Sequence, residues 1–302
     1  MINKNIILYA VILTIVSGCG FVEEIKHPSS FPKRYLSSYQ NIDKIIKDNP
    51  LAEGENLKVT DVAETRTSIV RLVQIRKGAE INAHIHENHD EIVYLVRGSG
   101  TALLGGNQYP IKPGAVLLIP RMTPNSFVNN GAEDSIAITF LSPPSKAPSP
   151  HPSPSRGEGR VRVAVLPMVW ILDEIPKEIP PKEDVKTIEL GKSQDASLQL
   201  MMVREDAEMR LHYHKRNDEV ICVVKGSGII ILDGTRTFVK PGSVMIVPRK
   251  SHHKFINTGG EPYVALSLFS PPFTGKGTKY IKEKKRKEKA PVARPVEEKL
   301  RE

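Results

Sequence analysis

His212, His214, Glu219 and His253 bring together the donor atoms that one metal ion needs. They stand in HYHKRNDEVICVVKGSG and, further on, PGSVMIVPRKSHHKFIN. Successive side chains of an extended strand point to opposite faces, so His212 and His214 lie side by side while Tyr213 faces away. Glu219 opens the next apolar run and shares a face with Ile221 and Val223; Val220, Cys222 and Val224 take the other. His253 arrives from a later strand, and its neighbour His252 points away. Three neutral imidazoles and a carboxylate suit a divalent first-row transition ion (Mn, Fe, Ni, Cu or Zn) and leave positions open for water, oxygen or substrate. Enclosed without a cation, such a set is costly to desolvate.

The elements that must position these residues occur twice. A shift of 128 residues lays Val73–Pro144 on Met201–Pro272 without a gap, with roughly 27 of the 72 positions identical, an internal repeat. The first copy has His84, His86 and Glu91 where the second has His212, His214 and Glu219, but Asn125 stands at the place of His253. An amide oxygen is a poorer ligand for these ions than an imidazole nitrogen. Two readings follow: His84, His86 and Glu91 hold a metal as a two-histidine, one-carboxylate set, or the first site has decayed into a structural or organic-ligand barrel. His89, in the loop between strands, is expected to be solvated.

The spacings H-x-H-x4-E-x6-G and G-x5-P-x4-H-x3-N, the latter from Gly242 through Pro248 and His253 to Asn257, resemble the two conserved motifs of the cupin superfamily. Because the pattern is repeated, the chain resembles a bicupin. The resemblance implies an all-β fold of two tandem double-stranded β-helix (jelly-roll) barrels, with a divalent metal held by three His and one Glu in the second. Asp206 and Lys250 in the second copy, and Met122 in the first, replace turn glycines of the family pattern. Short Val/Ile/Leu runs punctuated by glycine turns independently indicate a β-barrel or sandwich.

Cys19 ends V-S-G-C behind Lys4 and the run IILYAVILTIV, the layout of an export signal; the run is too short to span a membrane. The ending resembles the lipobox of bacterial lipoproteins, which implies cleavage before Cys19, lipidation there, and an exported chain anchored to the cell envelope, at the outer membrane if the cell has one. Cys222, the other cysteine, is expected to be a packing residue. The net charge of +9 is concentrated in the tail, where Lys276–Glu302 carries eleven Lys or Arg against five acids. That tail suits a contact with an anionic envelope component or simple solvation. Aromatic interleaving and fold signatures for nucleic acid are lacking.

The organisation expected from these features is a signal peptide over 1–18, a tether over 19–56, barrel 1 over 57–144, a Pro/Ser-rich linker with a short apolar segment over 145–185, barrel 2 over 186–274 and a charged tail over 275–302. The apolar segment around Trp170 is expected to pack against one barrel or between the two. Three functions fit. One is a metalloenzyme of dioxygenase, decarboxylase or isomerase type acting on a small oxygen-rich or anionic molecule, the activities known among cupins. Another is a lipoprotein that binds a metal or small molecule without changing it. The third is a scaffold whose basic tail docks to the envelope.

Overall fold

The computed structural model describes residues 35–144 and 166–282. The expected signal peptide, Cys19, the start of the tether, the linker 145–165 and the tail 283–302 lie outside the described residues. No helix among those described is long and apolar enough to cross a membrane.

Alternating apolar runs become strands, and positive-φ turns join them. Gly228–Leu232 and Thr235–Val239, for example, are paired through Asp233 (φ 47°) and Gly234 (φ 87°). Two positive φ angles make the kind of turn whose twist matches that of the flanking strands. The architecture is all-β, two tandem barrels. In barrel 1, a six-stranded sheet runs in the order Met168–Ile171, Ala115–Ile119, Asp90–Arg97, Ser135–Ser142, Ile69–Ile75, Leu57–Glu64. It faces a four-stranded sheet ordered Glu80–His84, Asn125–Val128, Gly100–Leu104, Asn107–Ile111. Barrel 2 repeats the plan with Ser38–Asn41, Ser243–Val247, Asp218–Lys225, Tyr263–Ser270, Ser197–Val203, Val185–Lys192, facing Thr235–Val239, Gly228–Leu232, His253–Asn257, Glu208–His214, Thr278–Tyr280.

Two of these strands correct the expected boundaries. The described end of the 19–56 tether is not a free spacer: Ser38–Asn41 pairs antiparallel with Ser243–Val247 of barrel 2, and the helix Ile42–Asp48 follows with Ile42 only 2% exposed. The segment before barrel 2 does the reciprocal thing. Met168–Ile171 pairs with Ala115–Ile119 of barrel 1, and Leu172 is fully buried. Each barrel's leading arm thus closes the sheet of the other. The arms also end alike, with Ile42 N–H donating to Gly242 O and Leu172 N–H to Gly114 O. The apolar segment around Trp170 packs as expected, and a Cβ on Gly191 of barrel 2 would lie 2.6 Å from its ring. In the tail, Thr278–Tyr280 pairs with the strand that carries His212 and His214.

The arms are exchanged because the six-stranded sheets are apolar on both faces. Inner faces fill the barrels, as with Ile221, Val223 and Met245 in barrel 2 and Leu95, Leu117 and Ala137 in barrel 1. The opposite faces, including Leu72, Ile92, Phe140, Leu200, Val220, Cys222 and Leu266, form a single core between the barrels that takes in both Ile42 and Leu172. Cys222 is the packing residue expected, its thiol pushed up to about 12 by burial. Polar contacts rim this core on both sides of a pseudo-twofold axis. Thr67 Oγ1 donates to Asp218 Oδ2, Asp195 N–H donates to Asp90 Oδ2, and Ser142 Oγ meets Ser270 Oγ at 2.7 Å.

Candidate metal centre

Barrel 2 gathers the four predicted residues. His212 and His214 leave the strand Glu208–His214 on one face, His253 starts the neighbouring strand in register with His212, and Glu219 comes from the opposing sheet. The three histidines place one nitrogen each within 4.8 Å of one another, and this is the one such group of His, Cys, Asp or Glu among the described residues. All four side chains are 3–5% exposed. His252, as expected, is exposed on the outer face, its ring 5.1 Å from that of Tyr213.

The hydrogen bonds settle which nitrogen faces inward. His212 Nδ1 lies 2.8 Å from Arg210 O, and His253 Nδ1 lies 3.1 Å from Ser251 O. A carbonyl only accepts, so both Nδ1 atoms carry the proton and both Nε2 atoms present a lone pair to the interior. His214 Nδ1 has Thr278 Oγ1 at 3.1 Å, which holds it in the same tautomer when the hydroxyl accepts. His214 Nε2 and His253 Nε2 then stand 3.1 and 3.2 Å from Glu219 Oε2, lone pairs against a carboxylate oxygen. His253 Nε2 and Glu219 Oε2 are buried without a hydrogen-bond partner. A cation is the group that turns this repulsion into attraction, so the residues present fit a divalent metal.

The electrostatics agree. Burial lowers His212 to about 4 and keeps its imidazole neutral. Burial alone pushes the Glu219 carboxyl up, while the two imidazoles at 3.1 and 3.2 Å lower it well below the ordinary carboxylate range to the extent that they carry a proton toward it, the place a cation takes when the histidines are neutral.

Sequence reasoning missed the contribution of Thr278–Tyr280. Thr278 orients His214, and the Tyr280 ring lies 5.6 Å from His212 with the Arg210 guanidinium 4.6 Å from its centre. The only signal was a three-residue strand inside a lysine-rich tail. Replacing Thr278 with valine keeps the shape and removes the acceptor. We expect roughly 10-fold weaker metal affinity, the usual effect of losing a partner behind a ligating histidine, read by competition with a chelator.

Barrel 1 places its residues differently. His84 pairs in register with Asn125 as His212 does with His253. The Asn125 amide turns to the backbone, donating to Thr123 O at 3.2 Å and His84 O at 3.4 Å. His84 Nδ1 donates to Asn82 O, and His86 Nε2 lies 2.9 Å from Glu91 Oε2. The His84 and His86 rings lie 4.8 Å apart, but the three-donor group found among the described residues is that of barrel 2. The expectation that His89 is solvated is overturned: it is 6% exposed, against the His86 ring at 4.4 Å, and neither nitrogen has a hydrogen-bond partner. His89 lines the interior cavity of barrel 1 rather than a loop tip.

Burial lowers His89 to about 4, as it does His212. A base whose folded value lies below its ordinary 6.5 takes up protons more readily unfolded, so stability is full above about 6.5 and is lost as pH falls toward 4. Each group contributes at most about 3 kcal/mol to that loss. We expect His89→Phe to flatten the fall in melting temperature of the metal-free protein between pH 7 and 4.

The three glycine departures adopt the conformation that glycine favours. Met122 has φ 65°, Asp206 φ 55° and Lys250 φ 72°, so the turns survive at a local steric cost. Lys250 N–H donates to His214 O at 2.7 Å, tying that turn to the ligand strand.

The fold and the doubled site define a class of protein. The family model for the Cupin domain matches residues 71–141 and again 199–269. The chain belongs to the cupin superfamily and is a bicupin. It is 31% identical over 94 residues to an uncharacterized protein of Aquifex aeolicus, a match covering 31% of this chain and 75% of that protein. Over 80 residues it is 38% identical to a glucose-6-phosphate isomerase of Thermococcus gammatolerans, covering 24% of this chain and only 42% of the isomerase. Among solved structures, a salicylate 1,2-dioxygenase of Pseudoaminobacter salicylatoxidans in adducts with gentisate superimposes with a TM-score of 0.62 at 13% identity. That match covers 82% of this chain and 83% of the dioxygenase, a likeness of fold.

Proposed function

We propose that the chain is an exported, lipid-anchored bicupin whose second barrel holds a divalent transition metal on His212, His214, Glu219 and His253 and transforms a small oxygen-rich or anionic molecule. The observation that carries the metal assignment is the inward lone pair of His253 Nε2 lying 3.2 Å from Glu219 Oε2 with no proton between them. When bound, the ion supplies Lewis acidity or a place for oxygen. The chain's own residues fix the imidazole tautomers through Arg210 O, Ser251 O and Thr278 Oγ1 and exclude bulk water. With one carboxylate against a divalent ion the site keeps a positive charge, which favours carboxylates, enediols or catechols. A dioxygenase, a decarboxylase and an isomerase all suit such a centre, and the dioxygenase and isomerase relatives support that range.

Elemental analysis of the purified Phe21–Glu302 protein should find about one transition metal per chain. Metal-loaded protein should then convert a member of a panel of hydroxy acids, catechols, oxalate and sugar phosphates. Metal-free protein after reloading would sink the reading.

The near-complete enclosure of the four ligands supports a second reading, a lipoprotein that holds a metal or small molecule unchanged. Recovery of the bound ligand without modification, from protein that turns over none of the panel, would favour it. Anchoring rests on Cys19 and the apolar run before it. Cells fed labelled palmitate should label the wild-type chain and not Cys19→Ser, with the latter released from membranes. Contact of the basic tail with an anionic envelope component remains part of the proposal, tested by envelope retention after removal of residues 283–302.

A further inference from the structure

We propose that barrel 1 is a separate binding chamber for a neutral apolar molecule carrying a hydroxyl group, of the phenol or alkanol kind, held without a metal. The chamber is a cavity of about 400 Å³ inside the barrel, within the range of small-molecule sites. Exposed Leu57 and Val59 stand on its lining and give it an apolar mouth.

The repeat shows how the chamber was hollowed. Ala102 stands where barrel 2 has Ile230, Val73 where it has Met201, and Leu141 where it has Phe269, and all three smaller residues line the cavity. Beside it, Ser135 replaces Tyr263, whose ring stacks on Phe255 at 3.7 Å to fill the interior of barrel 2. The edges differ too. Thr278–Tyr280 covers the strand bearing His212, whereas the equivalent strand Glu80–His84 is the last of its sheet among the described residues.

The polar end of the chamber presents acceptors. His84 donates its Nδ1 proton to Asn82 O, so its Nε2 keeps a lone pair. Both hydrogens of the Asn125 amide are turned to backbone carbonyls, which leaves its oxygen. Glu91 adds a carboxylate. A hydroxyl donates to such a set. A ligand carboxylate would meet His84 Nε2, the Asn125 oxygen and Glu91 lone pair to lone pair, and the charge of Arg71 on the lining is already balanced by Asp61, whose Oδ1 accepts from Nε at 2.8 Å. His89, enclosed with both nitrogens unpartnered, is further polar capacity in the same wall that barrel 2 does not have, since Asn217 at the equivalent place donates to Pro271 O.

The test titrates the whole protein calorimetrically, with and without a chelator, against 4-butylphenol, butylbenzene and 4-butylbenzoate. We expect 4-butylphenol to bind at least 10-fold more tightly than either of the others, chelator or not. His84→Leu should bring the phenol down to the level of butylbenzene without weakening butylbenzene, and Ala137→Trp, which fills the chamber, should abolish both. An unchanged cooperative melting transition serves as the folding control for these variants. Undiminished phenol binding in His253→Ala is also expected, because the chamber does not depend on the second site. Tighter binding of the benzoate, equal binding of phenol and butylbenzene, dependence on metal, loss in His253→Ala, or no heat at millimolar phenol would each overturn the assignment. None of these results bears on whether barrel 2 holds its metal.

Discussion

His253→Ala is expected to empty the metal centre, taking the metal content from about one per chain to near zero, while His84→Ala leaves it unchanged. The physical reason lies in the geometry of Glu219. Its Oε2 faces two imidazole lone pairs at 3.1 and 3.2 Å, and the three histidine donors converge within 4.8 Å. Removing His253 opens one side of a four-donor shell. The loss in affinity should exceed the roughly 10- to 100-fold typical of residues that act only through a ligand. The converse substitution gives the sharper result. Asn125→His in barrel 1 restores the missing imidazole in register with His84, beside His86 and Glu91, and is expected to raise the content to about two metals per chain. If wild type already binds two, or if Asn125→His adds none, the asymmetry between the barrels is not made by this one position.

The second large effect concerns the core between the barrels. Leu200→Asp should prevent folding of the whole chain rather than of barrel 2 alone, measured by solubility and by loss of a single cooperative melting transition. Leu200 is fully buried in a cluster that draws on both repeats, from Leu72 and Phe140 to Val220 and Leu266. An unpaired carboxylate there costs several kcal/mol, comparable with the entire stability of a domain. For the same reason residues 166–282 expressed alone should aggregate. They would lack the closing strand Ser38–Asn41 and expose the outer face of a six-stranded sheet. Exposed apolar faces of that extent mark interfaces, and here the partner is the other half of the same chain. A soluble, cooperatively folding 166–282 fragment would show that the barrels are independent.

Much of the metal centre was legible in the residues themselves. Period-two alternation puts His212 beside His214 and turns Tyr213 and His252 outward, because strand geometry is local and depends only on position along the chain. The repeat located Asn125 as the odd residue of the first copy, and apolar runs separated by turn signals specified an all-β chain. These features are short-range, so they survive in a linear reading.

The partners of those residues were decided only by the tertiary structure. Cys222 was legible as a packing residue, but what it and Val220 pack against was not: a second barrel covers that face of the strand. Ser38–Asn41 looked like spacer since four residues carry too little pattern, and it gains its hydrogen bonds from a strand some two hundred residues away. Thr278 sits in a segment whose charge suggests solvation, but backbone pairing brings it to His214. His89 lies in a connecting loop and is buried nonetheless. Long-range pairing and face-to-face packing depend on which surfaces meet, and no local periodicity encodes that; the hollowing of barrel 1 became visible only once Ala102, Val73 and Leu141 were seen around one space.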